Sequence, residues 1–182
     1  MIANCKHIIV LFGLIALTTV SQGAKTGQEI TGSNTPTQEV EKRKGIAVQY
    51  FRSIDKGAVD STFFNQFTDD VDFYFPKFGN VKGKSGISKF FRDVGSSMRS
   101  IHHDIQNFKV IGEDNYVVVE GQESGVMKDG VVWPDNKVSH GRFCCVFEFR
   151  GDLISRFYIY VDPDFTSSDQ VRIDRFKQKA EQ

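Results

Sequence analysis

Cysteine is almost missing from this 182-residue chain, which holds only Cys5, Cys144 and Cys145. The last two are neighbours, and a disulfide between neighbours would be strained, so no disulfide framework holds the fold. Stability must come from an apolar core instead. Net charge is missing too: 23 Lys and Arg balance 23 Asp and Glu. That balance gives no electrostatic reason for a nucleic acid or an anionic membrane as partner. The one basic run, Lys42-Arg43-Lys44, reads as a solvated helix face. No apolar stretch reaches the roughly 20 residues of a membrane span. The longest, Ile8 to Val20, stops short. Metal-ligand spacings are missing as well. There is no His-x-His or Cys-x-x-Cys, and the adjacent His102 and His103 diverge if they lie on a strand. No metal and no cofactor are expected. No Gly-rich phosphate loop and no Ser-His-Asp arrangement is recognisable.

What is abundant is phenylalanine, at 17 residues. So many rings suit a packed core, and they suit the wall of an apolar cavity equally well.

The first residues read as a secretory signal peptide. Met1 to His7 is short and polar with Lys6 positive, and Ile8 to Val20 is almost wholly apolar. Ser21 and Gly23 then put small residues at the −3 and −1 positions of a cut before Ala24. Cys5 precedes the apolar run, so it is not a lipid-attachment cysteine. Export predicts a secreted or periplasmic protein, with no stable membrane insertion after cleavage. The chain divides into a signal peptide (1–23), a flexible leader (24–37), one domain (38–165) and a C-terminal surface helix (166–182).

Thr35-Pro36-Thr37-Gln38 is a helix start: a Thr cap, Pro in the first turn and Gln three residues on. Ala47, Tyr50, Phe51 and Ile54 follow at helical spacing, and Gly57 ends the run. Asp60 caps a short second helix carrying Phe63, Phe64 and Phe67. Val71 to Phe75 reads as a strand stopped at Pro76. Gly79-Asn80 and Gly83 mark a loop, and Ser85 caps a third helix with Ile87, Phe90, Phe91, Val94 and Met98 on its inner stripe. The pattern then changes to strands. These run from Ile101 to Ile111, Tyr116 to Met127, Val131 to Trp133, Val138 to Phe149 and Leu153 to Val161. Helices first and an antiparallel meander after them predict an α+β domain, a cone-shaped, strongly curved sheet wrapped around the N-terminal helices. The wide end of such a cone is a place for a small ligand.

This order of elements resembles the nuclear transport factor 2-like superfamily, and in particular its SnoaL-like branch. Val48-Gln49-Tyr50-Phe51, Asp55-Lys56-Gly57 and Phe67-Thr68-Asp69-Asp70-Val71 are similar to the family's opening helices and first strand. Phe147 to Ile154 and Tyr160-Val161-Asp162 are similar to its closing hairpin. The superfamily holds isomerases, dehydratases, cyclases and non-catalytic binders, so the resemblance speaks to fold more than to activity. The ketosteroid isomerases of this fold carry an oxyanion-donor tyrosine, which Tyr50 matches. Their aspartate base falls on Phe75, and their protonated aspartate falls on Cys145. Phenylalanine cannot move a proton, so steroid isomerisation by that route is not expected. The acidic last-strand residue of the polyketide cyclases falls on Ile159.

Strand parity puts Phe143, Cys145 and Phe147 on one face and Phe157, Ile159 and Val161 on another. If these faces line the cone, they make an apolar pocket together with Phe75 and Phe90. His103 shares parity with Ile101 and Ile105 and points inward, as a general base or a hydrogen-bonding partner for a ligand. Tyr50 on the inner helix face donates to a ligand oxygen. Trp133, Glu120 and Asp162 are weaker candidates at the pocket or its rim. The leading functional reading is an exported domain that binds a small apolar molecule. The alternatives are an acid–base isomerase, dehydratase or cyclase using Tyr50 and His103, and a homodimeric interaction module. The protein recovered from its native source is expected to begin at or near Ala24; N-terminal sequencing that returns Met1 refutes the export reading.

Overall fold

The computed structural model describes residues 35–162, apart from Lys77 and Val138. The signal peptide, nearly all of the leader and the C-terminal helix lie outside the described residues.

Helix α1 spans Pro36–Asp55. It starts where its chemistry says it should: the Thr35 hydroxyl accepts from the Gln38 amide at 3.3 Å, and the Gln38 side chain accepts from the Thr35 amide at 2.9 Å. Its buried stripe is Ala47, Tyr50 and Phe51. The basic run on its outer side is more than a solvated face. Arg43 donates to the carbonyls of Gly151 at 3.2 Å and Asp114 at 2.6 Å, and Lys42 pairs with Asp152 at 2.6 Å. These contacts tether the first half of α1 to two strand turns.

Asp60 accepts from the amides of Thr62 and Phe63, and a single 3-10 turn follows at Phe63–Gln66. Strand β1 covers Phe67–Phe75, starting four residues before the expected Val71 because Phe67 pairs with Ile154 and is fully buried. Gly79–Lys82 forms β2 rather than a loop. Helix α2 spans Gly83–Gly95 and has no side-chain cap, so Ser85 lies inside it. Gly83 turns the chain with φ +71, and a Cβ there would stand 3.0 Å from the Asp69 carbonyl oxygen. Met98 has already left α2 and opens β3, Met98–His103. The single strand expected from Ile101 to Ile111 is broken by a 3-10 turn at Ile105–Asn107, whose amide and side chain at Asn107 both bond Asp104. Strands β4 (Lys109–Glu113), β5 (Tyr116–Met127), β6 (Val132–Trp133), β7 (Arg142–Arg150) and β8 (Leu153–Val161) complete the sheet.

The strand order is β2-β1-β8-β7-β5-β3, with β4 and β6 also paired to β5. Every pairing is antiparallel except β1 with β8, which is parallel. The sheet is therefore mixed, not the wholly antiparallel meander expected, because the first strand of the sheet lies beside the last. It curls into a half-barrel around the helices. No helix among the described residues is long and apolar enough to cross a membrane.

Strand β5 changes partners along its length. Tyr116 to Gln122 pairs with β7, and Glu123 to Met127 pairs with β3. At Gly125 a Cβ would lie 2.4 Å from the Ser100 carbonyl oxygen and 2.6 Å from the Trp133 ring. The missing side chain lets β3 and the indole close over the strand.

Rings fill the concave side. Phe147 and Phe157 stack with centroids 4.4 Å apart, and Tyr50 meets Phe157 edge-on at 4.7 Å. Phe157 also touches Phe73 at 5.5 Å and has no exposed surface. Replacing Phe157 with alanine should cost about 3–5 kcal/mol of folding stability through lost burial and the cavity left behind. Urea denaturation reads this directly; a cost below about 1 kcal/mol would mean the cluster is not the core described.

Candidate functional site

A cavity of about 480 Å³ opens between the ends of the two helices and the concave side of the sheet. Its apolar wall comes from α1 (Phe51, Ile54), α2 (Phe90, Phe91, Val94), β1 (Phe75), β7 (Phe143) and β8 (Ile159). Its inner polar groups converge: Tyr50 and Asp55 from α1, His103 from β3, Glu123 from β5 and Cys145 from β7; Lys56, Arg99 and Ser100 stand at its exposed rim.

The centre of this group is His103. It ends β3 and is 3 % exposed, while the neighbouring His102 side chain is 73 % exposed. The register pairs His103 directly with Glu123, so the two side chains stand on the same face of adjoining strands. Nε2 of His103 lies 3.4 Å from the Glu123 carboxylate. Nδ1 lies 2.5 Å from Asp55, the last residue of α1. The same Asp55 carboxylate accepts from the His103 backbone amide at 3.0 Å. Phe51 and Phe143 pack edge-on against the imidazole, at 5.0 and 5.7 Å. The ring is thus fixed in position as well as in hydrogen bonding.

Carboxylates accept and do not donate, so two of them around one imidazole favour its doubly protonated form. Burial opposes that charged form and is the largest single influence on His103. The hydrogen bond and charge of Glu123, then those of Asp55, outweigh it together, and the pKa is raised from the ordinary histidine value. Both ring nitrogens of His103 thus face a carboxylate.

Tyr50 is 2 % exposed and lines the cavity. Burial, with the nearby Cys145 and Glu123, holds its pKa well above the usual value, so it stays a neutral donor facing the cavity. Burial first and Glu123 second push the Cys145 thiol well up, so it is a neutral, weakly polar wall group.

Of the residues picked from sequence, the structure brings Tyr50, Phe75, Phe90, His103, Phe143, Cys145 and Ile159 to this cavity. Two do not reach it. Phe147 is fully buried in the ring stack behind Tyr50, and Trp133 lies against the bare backbone of Gly125. Of the weaker candidates, Glu120 faces outward and is exposed. Asp162 is occupied by the amides of His140 and Arg142 and the Ser139 hydroxyl, and so anchors a loop. Asp55 and Glu123 were the residues missed. Both carry a signal in the sequence. Glu123 shares strand parity with buried Val117 and Val119 and stands between Gly121 and Gly125; Asp55 follows Phe51 by four residues on the buried stripe of α1. No group of His, Cys, Asp and Glu suited to a metal ion occurs among the described residues.

The histidine clamp predicts a pH dependence. A raised histidine pKa adds stability that is fully present below the unfolded value of about 6.5 and is lost as pH rises through the folded value. The thermal midpoint should therefore fall as pH climbs above the ordinary histidine range, and His103→Gln should remove that slope. NMR titration should show His103 above the normal range, and Glu123→Gln should bring it down. A His103 resonance titrating at or below the ordinary value refutes the clamp.

A family model described as a SnoaL-like domain matches residues 47–157. No curated protein gives a significant sequence match. Among solved structures, a nuclear transport factor 2-like protein from Anabaena variabilis superposes with a TM-score of 0.58 at 24 % identity, covering 74 % of this chain and 98 % of that one. A candidate polyketide cyclase from Xanthomonas campestris pv. campestris gives 0.55 at 18 % identity, over 67 % and 91 % of the two chains. A candidate ketosteroid isomerase from Kribbella flavida gives 0.51 at 14 % identity, over 68 % and 79 %. At these identities the likeness is one of fold.

Proposed function

The chain belongs to the SnoaL-like domain family, and on that premise we propose that it binds a small, largely apolar molecule and moves a proton at that molecule's oxygen-bearing end. One observation carries the reading: a buried imidazole clamped between Asp55 and Glu123 in the wall of an otherwise apolar cavity. A protein that only stores apolar molecules has no use for ionic groups in that wall, where burying them costs free energy.

The roles follow from the distances. Asp55 lies closest and also binds the backbone of His103, so it orients the ring. Glu123 sits at the longer 3.4 Å and also faces the cavity, so its carboxylate takes a proton from the ligand. The charged His103 beside it steadies the negative charge before transfer. Tyr50 donates to the ligand oxygen where charge develops. Such a set fits isomerisation, dehydration or cyclisation of a carbonyl or hydroxyl compound. It stands on a different wall from the one the related isomerases use, where this chain has Phe75 and Cys145. The work is done outside the cytoplasm once residues 1–23 are removed. The exposed sheet face, with Ile111 at 67 % and Tyr160 at 49 % exposure, supports a homodimer as a further part of this proposal.

Mass spectrometry of what co-purifies with the protein identifies the ligand. In D2O the wild type should exchange a carbon-bound proton of that ligand, and Glu123→Gln should slow the exchange by about 10²–10⁴-fold. Tyr50→Phe should weaken binding by about 0.5–1.5 kcal/mol, one neutral hydrogen bond. Binding without exchange would leave a carrier and remove the catalytic part of the reading.

A further inference from the structure

We propose that the molecule taken by this cavity is an amphipathic anion: an apolar body whose carboxylate, or a group of like charge, stays at the mouth between Lys56 and Arg99. The inference rests on the reading of the cavity as a ligand site and goes on to name the ligand's charge and orientation.

The charged groups lining the cavity are arranged by depth. Asp55 and Glu123 lie in the inner wall, with side chains only 15 % and 12 % exposed, and both are turned to His103. His102 adds a second, looser contact to Asp55 at 3.6 Å. The two cations, Lys56 and Arg99, are exposed and belong to the lip. Lys56 is the C-cap of α1, and Arg99 is the second residue of β3. Neither makes an ion pair among the described residues. Arg99 gives one hydrogen bond to the Lys128 carbonyl at 3.3 Å, which leaves most of its five N–H donors unused.

This segregation selects for charge and for direction. Two cations at the edge of an apolar opening attract an anion, and the low-dielectric walls focus their field. An anionic group held at the lip keeps much of its water, so the ligand avoids the cost of burying a charge. The inner wall acts the other way. Two carboxylates around one imidazolium leave a net negative charge, which opposes an anionic group at depth and accepts a neutral carbonyl or hydroxyl. The anion therefore stays outward and the reacting oxygen goes inward to Tyr50.

The test uses two dyes with the same rings, 8-anilino-1-naphthalenesulfonate and the uncharged N-phenyl-1-naphthylamine, in fluorescence titrations of the purified protein. The sulfonate should bind roughly fivefold tighter at low salt, the worth of two exposed cation contacts. That preference should vanish in about 0.5 M salt, where such contacts are screened. It should also vanish in the Lys56→Gln, Arg99→Gln double variant, with the uncharged dye's affinity unchanged. Val94→Trp, at a half-buried position in the wall, should reduce binding of both dyes. Equal affinities in the wild type, or a preference that survives the double variant, overturn the inference and leave the pocket reading intact, because the uncharged dye still binds. Failure of both dyes to bind, or binding that Val94→Trp does not affect, overturns the pocket reading and the inference together.

Discussion

The open end of the molecule depends on how α1 is seated, and rings seat it. Tyr50 reaches from the helix into the stacked pair Phe147 and Phe157, and Phe51 meets Phe143 and Phe108 one residue further on. Ring contacts of this kind are worth about 0.5–1.5 kcal/mol each beyond the area they bury. They are also directional, so they fix the rotation of the helix about its axis as well as its depth. That rotation decides where Asp55 falls. Turned by one residue, α1 would carry its last carboxylate past the end of β3, and His103 would have a partner on one side only. The core and the candidate site are therefore one construction.

The clamp itself is a demanding arrangement. Two carboxylates and an imidazolium taken out of water lose several kcal/mol of hydration per ion, and removing one partner of such a set typically costs about 3–5 kcal/mol. Apolar side chains of similar size would fold at least as well. Their place at the wall of a cavity, and not in the solid part of the core, ties the cost to what the cavity does. The clamp makes one wall of the pocket polar while its own side chains stay largely buried, and in such surroundings a hydrogen bond counts for more than it would at the surface.

Much of the fold was legible because its local signals agree with its packing. The capping box at Thr35 and Gln38, the stripe of Ala47, Tyr50 and Phe51, and the alternation of Phe143, Cys145 and Phe147 each follow from short-range chemistry. What local chemistry does not carry is the pairing of distant strands. The parallel union of β1 with β8 joins residues more than 80 positions apart, and no pattern within either strand announces it. The clamp was missed for the same reason. Asp55, His103 and Glu123 meet only through a strand register and the end point of a helix. Parity alone could place His103 and Glu123 inward, but not opposite each other. Trp133 shows the reverse error: a large aromatic residue suggests a pocket wall, yet the open space it fills is that left by Gly125 on the neighbouring strand.

Phe75 and Cys145 explain why the polar groups sit where they do. Both line the cavity, and neither can hold a negative charge there: one is hydrocarbon, the other a thiol kept neutral by burial. Phe90 and Ile159 beside them complete that apolar wall. The ionic groups of the cavity come instead from β3, β5 and the end of α1. A carboxylate at position 75 as well would add a further negative charge to a cavity that already holds Asp55 and Glu123. One apolar wall and one ionic wall avoid that conflict. The same division gives a bound molecule two unlike sides, so the cavity can orient a ligand that offers only a single oxygen to recognise.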